Sequence, residues 1–115
     1  ITYGAGVHWA LEIVKKHTIN ADIIDLRTLQ PLDEACIFNS VKKTGRAIIL
    51  QEDTLFGGIA SDIAAMINEF CFEFLDAPII RVASAQMPVP FAKNLEQLYL
   101  PKERFENELL KLLKY

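Results

Sequence analysis

Residues 47–74 have the sequence AIILQEDTLFGGIASDIAAMINEFCFEF. A short, continuous apolar run, Ala47-Ile48-Ile49-Leu50, is of the kind found in a strand of a parallel sheet that is covered on both faces. Gly57-Gly58 then opens a segment with a broad apolar face at helical spacing, made by Ile59, Ile63, Ala64, Ile67, Cys71 and Phe74. The stretch predicts a buried strand followed by the longest and best-buried helix of the chain.

The same alternation continues upstream. Val7, Leu11 and Val14 recur at helical spacing before the cationic end Lys15-Lys16-His17, so we expect a first helix after Gly6. Residues 21–26 are rich in β-branched side chains and predict a buried strand. A second helix is predicted over 32–44, with Pro31 suited to its first turn, Ile37 and Val41 on its inner face, and Gly45 just past its end.

Downstream, Asp76-Ala77-Pro78 ends the long helix, because the residue before proline is pushed out of helical conformation, and residues 79–82 form the next strand. Residues 83–101 hold three of the five prolines, so we expect an ordered irregular segment there. A last amphipathic helix is predicted over 102–113. Its inward side chains are Phe105, Leu109, Leu112 and Leu113.

Strands that alternate with helices indicate a parallel sheet with helices on both faces. We therefore predict one domain over residues 1–115, an α/β fold built as a three-layer α/β/α sandwich. The opening Ile1-Thr2-Tyr3-Gly4 has no methionine and reads as the end of a strand already in progress. We accordingly expect the chain to be a fragment of a longer one.

Composition excludes several classes of function. The formal charge of −3 and the scattered basic residues leave no surface suited to a nucleic-acid backbone, and no run of eighteen apolar residues or secretion signal is present. Cys36 and Cys71 stand far apart among apolar neighbours, so both are predicted to be reduced core residues. Reduced cysteines favour a cytoplasmic location.

Gly4-Ala5-Gly6, with Asp25 about twenty residues on, imitates a dinucleotide-binding fingerprint. The place of the third glycine is taken by Trp9, however, and this favours a plain tight turn from strand to helix. His8 and His17 have no neighbours in sequence that indicate a triad or metal cluster. His17 reads as a helix-end cation, and His8 as a surface group or a contact to another chain.

Two loop features admit a functional interpretation and a simpler one. Glu52-Asp53 ends a strand at the place where open sheets bind ligands, and acids there could hold Mg²⁺ as in a receiver domain. Such a site needs further acids from the first strand, but Tyr3-Gly4 occupies that position. This favours a solvated or partner-facing charge pair. Gly57-Gly58 could cradle an anion, yet no lysine follows at phosphate-loop spacing, which favours close backbone packing or a helix start.

With these elements placed, a set of segments recurs in the order known from one protein family. The most specific segment is 24–33, and the others are residues 3–4, 7–8, 10–12, 41–46, 57–59, 75–78, 81–82, 87–92 and 99–101. On these segments the whole chain resembles the C-terminal domain of the β subunit of 2-oxo acid dehydrogenase E1 enzymes, in the transketolase C-terminal domain group. The chain departs from the family at Ala5, often arginine there, and at Gln51, often histidine.

The resemblance implies a parent enzyme that decarboxylates a 2-oxo acid, branched-chain favoured and pyruvate next, on thiamine diphosphate with Mg²⁺, and then acylates the lipoyl group of E2. It implies no catalytic, cofactor or metal residue in this domain, which instead joins other E1 domains and subunits and docks the basic subunit-binding domain of E2. It further implies a sheet order of second, first, third, fourth strand, and an edge strand upstream of Ile1.

Our candidates for E2 docking are Glu52, Asp53 and the C-terminal Tyr115, since acidic groups suit a basic partner. The alternatives are a free-standing flavodoxin- or receiver-like ligand-binding domain and a regulatory interaction module.

Overall fold

A computed structural model describes all residues 1–115. It contains five α-helices and two strands. In chain order they are α1 (Ala5–Lys16), α2 (Glu34–Thr44), β1 (Ile48–Thr54), α3 (Ala60–Cys71) with a 3-10 turn at Phe72–Phe74, β2 (Ile80–Ser84), α4 (Lys93–Tyr99) and α5 (Lys102–Leu112). None of the helices combines the length and the apolar composition that crossing a bilayer demands.

The sheet is parallel. β1 pairs with β2 from Ile48 opposite Ile80 to Leu50 opposite Val82. Thr2 forms single parallel bridges to Leu50 on one side and to Asp25 on the other. The predicted order of second, first, third and fourth strand segments is therefore confirmed.

The predicted strand over residues 21–26 is wrong as a regular strand. Only Asp25 makes a bridge, supported by hydrogen bonds from Thr2 N–H to the Ile24 carbonyl and from Leu26 N–H to the Thr2 carbonyl. A strand needs a neighbour along its length, and its neighbour here ends at Tyr3, because helix α1 begins at Ala5. The ladder is consequently two bonds long.

Helices cover both faces of the sheet, which confirms the three-layer α/β/α architecture. Ile49 points into a core formed with α2 and α3, whereas the next residue, Leu50, points into a core formed with α1 and α5. The first core comprises Leu26, Ile37, Val41, Ala47, Ile49, Ala60, Ile63, Ile67 and Cys71. The second comprises Ala10, Ile13, Leu50, Val82, Phe105 and Leu109.

Helix α1 is rotated by one residue from the predicted face. Its buried residues are Gly6, Ala10 and Ile13, whereas Leu11, predicted to face inward, is 52% exposed. Small side chains at positions 6 and 10 allow the helix backbone to lie close to Thr2 and Leu50. Close approach thus outweighs the burial of larger side chains at this position.

Helix α2 starts two residues later than predicted. Asp33 caps it by accepting a hydrogen bond of 3.0 Å from the Cys36 N–H, so Pro31 lies before the helix and not in its first turn. Cys36 is exposed, so its predicted core position is wrong. It lies beside the buried face of α2, which is formed by Ile37 and Val41. Gly45 ends the helix with φ +67°, as predicted.

Helix α3 has the predicted inner face, with Ile63, Ile67 and Cys71 buried. It begins at Ala60 rather than at the glycines and is as long as α1, at twelve residues each, so it is not the single longest helix. Phe74, predicted to face inward, lies in the 3-10 turn and is 40% exposed. The change of helix type rotates it away from the core.

The segment predicted to be irregular, residues 83–101, is partly regular. β2 extends to Ser84, beyond the predicted 79–82, and α4 occupies residues 93–99. Pro88 and Pro90 precede the helix and leave its hydrogen bonds intact, which explains how a proline-rich stretch still contains a helix. α5 ends at Leu112, and Leu113, predicted to face inward, is 41% exposed beyond that end.

Candidate functional site

Glu52 and Asp53 lie at the carboxyl end of β1, and both are exposed. The Asp53 carboxylate accepts a hydrogen bond of 2.7 Å from the Thr54 N–H, and the Ser84 hydroxyl donates to the backbone carbonyl of Glu52. Neither carboxylate takes part in any of the six ion pairs of the chain. Both charges are therefore available to a partner.

Tyr3 lies at the same edge of the sheet. Burial raises the pKa of its phenol, and the negative charges of Asp53 and Glu52 raise that pKa further. The two charges act on Tyr3 where the chain order reverses, between the first strand segment and β1, and open α/β sheets bind ligands at such points. The edge is acidic, and it presents one phenol beside two carboxylates.

Tyr115 lies elsewhere. The end of α5, at Leu112 and Leu113, lines a cavity of about 160 Å³ together with Ala47 and Ile48, which stand at the start of β1. Tyr115 follows directly and is 65% exposed. Glu52 and Asp53 stand at the other end of that strand, so within one chain the three predicted docking residues do not form one cluster.

Gln51 organises the loop that follows β1, a role that the sequence analysis did not identify. Its side chain is fully buried, its Nε2 donates to the Thr54 carbonyl at 2.6 Å, and its Oε1 accepts from the Ala60 N–H at 2.8 Å. The amide thereby joins the end of β1 to the start of α3. The one sequence signal is a polar residue placed directly after the apolar run 47–50.

The Gly57-Gly58 pair serves close packing, in agreement with the simpler prediction. A Cβ on Gly58 would lie 2.7 Å from the Thr54 carbonyl oxygen and 2.7 Å from Gln51 Cδ, too close for any side chain. Gly57 has open space around it but a left-handed φ of +78°. The two glycines therefore let residues 54–60 fold back over Gln51.

The remaining candidates have structural roles. His17 Nε2 lies 2.6 Å from Glu106 Oε1, which joins the end of α1 to α5, and His8 is exposed without a hydrogen-bond partner. Gly4 precedes the first helical residue, as expected for a tight turn, and Asp25 forms an ion pair of 2.5 Å with Arg27. These groups do not form a catalytic constellation.

The side chains present do not fit a diphosphate held through Mg²⁺. No group of three or more His, Cys, Asp or Glu side chains is placed to hold a metal ion.

Large apolar side chains are exposed beside the acidic edge, in the loop after β1 and in residues 87–98. We call this set the apolar rim. Its members are Leu55, Phe56, Met87, Val89, Phe91, Leu95 and Leu98, with Phe56 86% exposed and Phe91 fully exposed. The Phe56 N–H donates to the Gln86 side chain at 3.3 Å, which joins the two loops.

Comparison with known proteins gives consistent results. The "Transketolase, C-terminal domain" family matches residues 1–104. The pyruvate dehydrogenase E1 component subunit beta of Rickettsia bellii is 43% identical over 106 residues, which cover 90% of this chain and 33% of that protein. The 2-oxoisovalerate dehydrogenase subunit beta of Bacillus subtilis is 43% identical over 104 residues, covering 87% and 32% respectively.

A solved structure described as "Split gene transketolase, inactive beta4 tetramer" has the same fold. It superposes with a TM-score of 0.78 at 24% identity and covers 98% of this chain and 37% of that one. The chain spans about a third of the length of the curated relatives it matches. This chain belongs to the transketolase C-terminal domain family, because that family matches residues 1–104 and the three-layer α/β/α fold agrees with it.

Proposed function

We propose that this chain is the C-terminal assembly and partner-docking domain of an E1 component, the enzyme that oxidatively decarboxylates a 2-oxo acid and acylates the lipoyl group of E2. The observation that carries the proposal is a set of relatives about 40% identical over most of this chain, named pyruvate dehydrogenase E1 component subunit beta or 2-oxoisovalerate dehydrogenase subunit beta. Thiamine diphosphate and Mg²⁺ belong to the parent enzyme, which uses them at a site outside this domain.

The substrate of the parent is a 2-oxo acid, with a branched-chain acid as our first expectation and pyruvate next. The relatives carry both names. Activity of the complete enzyme on 2-oxoisovalerate and on pyruvate, compared at equal concentrations, decides between them. The cytoplasmic location stays a prediction, since the relatives include proteins named mitochondrial.

The assembly role is supported by the apolar rim. Aromatic side chains bury about 150–250 Å² each, so covering Phe56 and Phe91 alone would remove roughly 300–500 Å² of surface from water. Large exposed apolar patches commonly mark protein–protein contacts. We assign this surface to contacts with other domains and subunits of E1.

The docking role is supported by the unpaired charges of Glu52 and Asp53 beside Tyr3. An exposed acidic edge raises the association rate of a basic partner and orients it. We propose that this edge contacts the subunit-binding domain of E2. Tyr115, with the terminal carboxylate, is proposed as a separate contact at the opposite edge.

The test uses the complete E1 and its own E2. Reversing both charges, with Glu52→Lys and Asp53→Lys together, should weaken E2 binding at least tenfold at low salt and flatten its salt dependence, because screening then has less attraction to remove. Glu69→Lys is the matched control, as Glu69 is exposed on α3 and forms no ion pair. Removal of Tyr115 tests the second contact by itself.

E1 activity with an artificial electron acceptor reports folding and assembly. We expect it to stay near normal in the double variant. Unchanged E2 binding over the whole salt range would remove these two residues from the interface. Loss of the acceptor activity as well would assign them to assembly instead of docking.

A further inference from the structure

β2 is an edge strand. It pairs with β1 along one side, and no other strand of the chain pairs with its second side. An unpaired strand edge presents a row of backbone donors and acceptors, which natural proteins cover, charge or use for binding.

The free backbone groups can be assigned to residues. The Ile80 N–H donates to the Ala47 carbonyl at 3.1 Å, toward β1. Because successive residues of a strand point their N–H and C=O groups to opposite sides, Arg81 and Ala83 point theirs to the free edge. Neither residue has a backbone hydrogen-bond partner on that side, although Ala83 is only 8% exposed. Beyond them, the Ala85 N–H is taken by the Tyr99 carbonyl at 3.0 Å.

These groups face a groove of about 1120 Å³, the edge groove. Residues before and within α3 form one wall and residues of α5 the other, with the edge of β2 as the floor. Its principal lining residues are Phe56, Ser61, Arg81, Ala83, Arg104 and Glu108. Buried backbone groups rarely stay unpaired, so a hydrogen-bonding occupant or solvent must satisfy them here.

The groove carries two arginines without a carboxylate partner. Arg81 donates to the Ser61 hydroxyl at 2.6 Å, and Arg104 donates to the Tyr99 carbonyl at 2.7 Å. The one acid in the lining, Glu108, is paired with Lys111 at 2.6 Å. A chain with a net charge of −3 thus has a locally cationic groove along its only long free strand edge.

We propose that the edge groove binds an extended, acidic peptide segment of another protein, which adds to β2 as a further strand. The backbone groups of Arg81 and Ala83 provide its hydrogen bonds. Successive side chains of an added strand point to opposite walls, so adjacent carboxylates reach Arg81 on one wall and Arg104 on the other. The inference goes beyond the proposed function, because the E2 domain assigned to Glu52 and Asp53 is basic.

The test uses a labelled peptide of about seven residues with blocked ends, in which two adjacent glutamates are flanked by valines and threonines, a composition typical of strands. Its binding to the chain is followed by fluorescence anisotropy. The matched probes replace the glutamates by lysines, or methylate alternate backbone nitrogens. We expect saturable binding of the first peptide, and at least tenfold weaker binding of both others and of the variant with Arg81→Glu and Arg104→Glu.

Amide hydrogen exchange separates strand addition from a general charge effect. In the free chain the Ala83 amide should exchange faster than that of Val82, which points to β1, and bound peptide should slow it at least tenfold. Arg81→Gln removes the positive charge at that wall without reversing it, so it should weaken binding less than charge reversal does. Circular dichroism checks the fold of each variant.

Three results overturn the proposal. The first is the absence of saturable binding, and the second is equal binding of the lysine peptide. The third is protection of the Ala83 amide from exchange that rises with chain concentration without peptide, because a second copy would then occupy the edge. None of them bears on E2 binding at Glu52 and Asp53, so the two proposals fail separately.

Discussion

Replacing Gly58 by alanine tests the account of the loop after β1. The added Cβ would lie 2.7 Å from the Thr54 carbonyl oxygen and from Gln51 Cδ, whereas non-bonded heavy atoms are at their best about 3.5–4.0 Å apart. Gln51 cannot withdraw freely, because its amide is buried and bridges Thr54 and Ala60. Either the backbone moves or the bridge breaks.

Each route has a known cost. Overpacking a well-packed site costs about 1–3 kcal/mol, and leaving a buried hydrogen-bonding group unpaired costs about 1–3 kcal/mol. Because the two routes are alternatives, we expect Gly58→Ala to lower the free energy of unfolding by about 1–3 kcal/mol. Gly57→Ala is the matched control, since its Cβ meets no atom and its left-handed φ alone costs about 1–2 kcal/mol.

Urea unfolding of both variants, followed by far-ultraviolet circular dichroism and by the fluorescence of Trp9, measures the two losses under one condition. We expect the larger loss for Gly58→Ala. A loss equal to or smaller than that of Gly57→Ala would refute the assignment of Gly58 to close packing against Gln51.

The other predictions concern the core, pH and cofactor binding. Ile63→Ala or Ile67→Ala should each lower the free energy of unfolding by about 2–5 kcal/mol, since both side chains are buried, and a loss below about 1 kcal/mol at both sites contradicts the assigned inner face of α3. Hydrogen bonds from Lys16 and then from His17 lower the pKa of Glu106, so its stabilising effect is present above the unfolded pKa of about 4.3 and is lost as pH falls through the lower folded pKa. Glu106→Gln should accordingly flatten the dependence of the thermal midpoint on pH below about 4.5, and an unchanged acid limb contradicts this. Calorimetric titration of the chain with thiamine diphosphate and Mg²⁺ should show no saturable binding, and micromolar affinity would contradict the assignment of the cofactor to the rest of the parent.

The architecture could be predicted because the apolar run 47–50 and the helical spacing of Ile63 and Ile67 each report burial directly. The face of α1 could not, because Gly6 and Ala10 are buried for their small size, and hydropathy does not register close backbone approach. The strand predicted from composition at residues 21–26 is reduced to one bridge for another reason, because strand pairing depends on the length of the neighbouring strand.

The candidate site was only partly predictable. The position of Glu52 at the end of a parallel strand follows from the alternation of strands and helices, and the structure confirms it. The distance between that edge and Tyr115 depends on how α5 packs across the sheet, which no local pattern encodes. The bridging role of Gln51 likewise requires residues nine positions apart to meet, so it emerges only from the folded loop.

The position of Thr2 between two later segments has a consequence for the order of folding. Thr2 pairs with Asp25 and with Leu50, so the middle of the sheet is made by the part of the chain that is synthesised before either neighbour. The chain must lose conformational entropy to close the long loops before such distant pairings form, and parallel sheets consequently fold slowly. During synthesis α1 can form early, but the apolar face it shares with Leu50 stays uncovered until β1 has emerged. In the interval between those two events the uncovered apolar face of α1 favours misassembly.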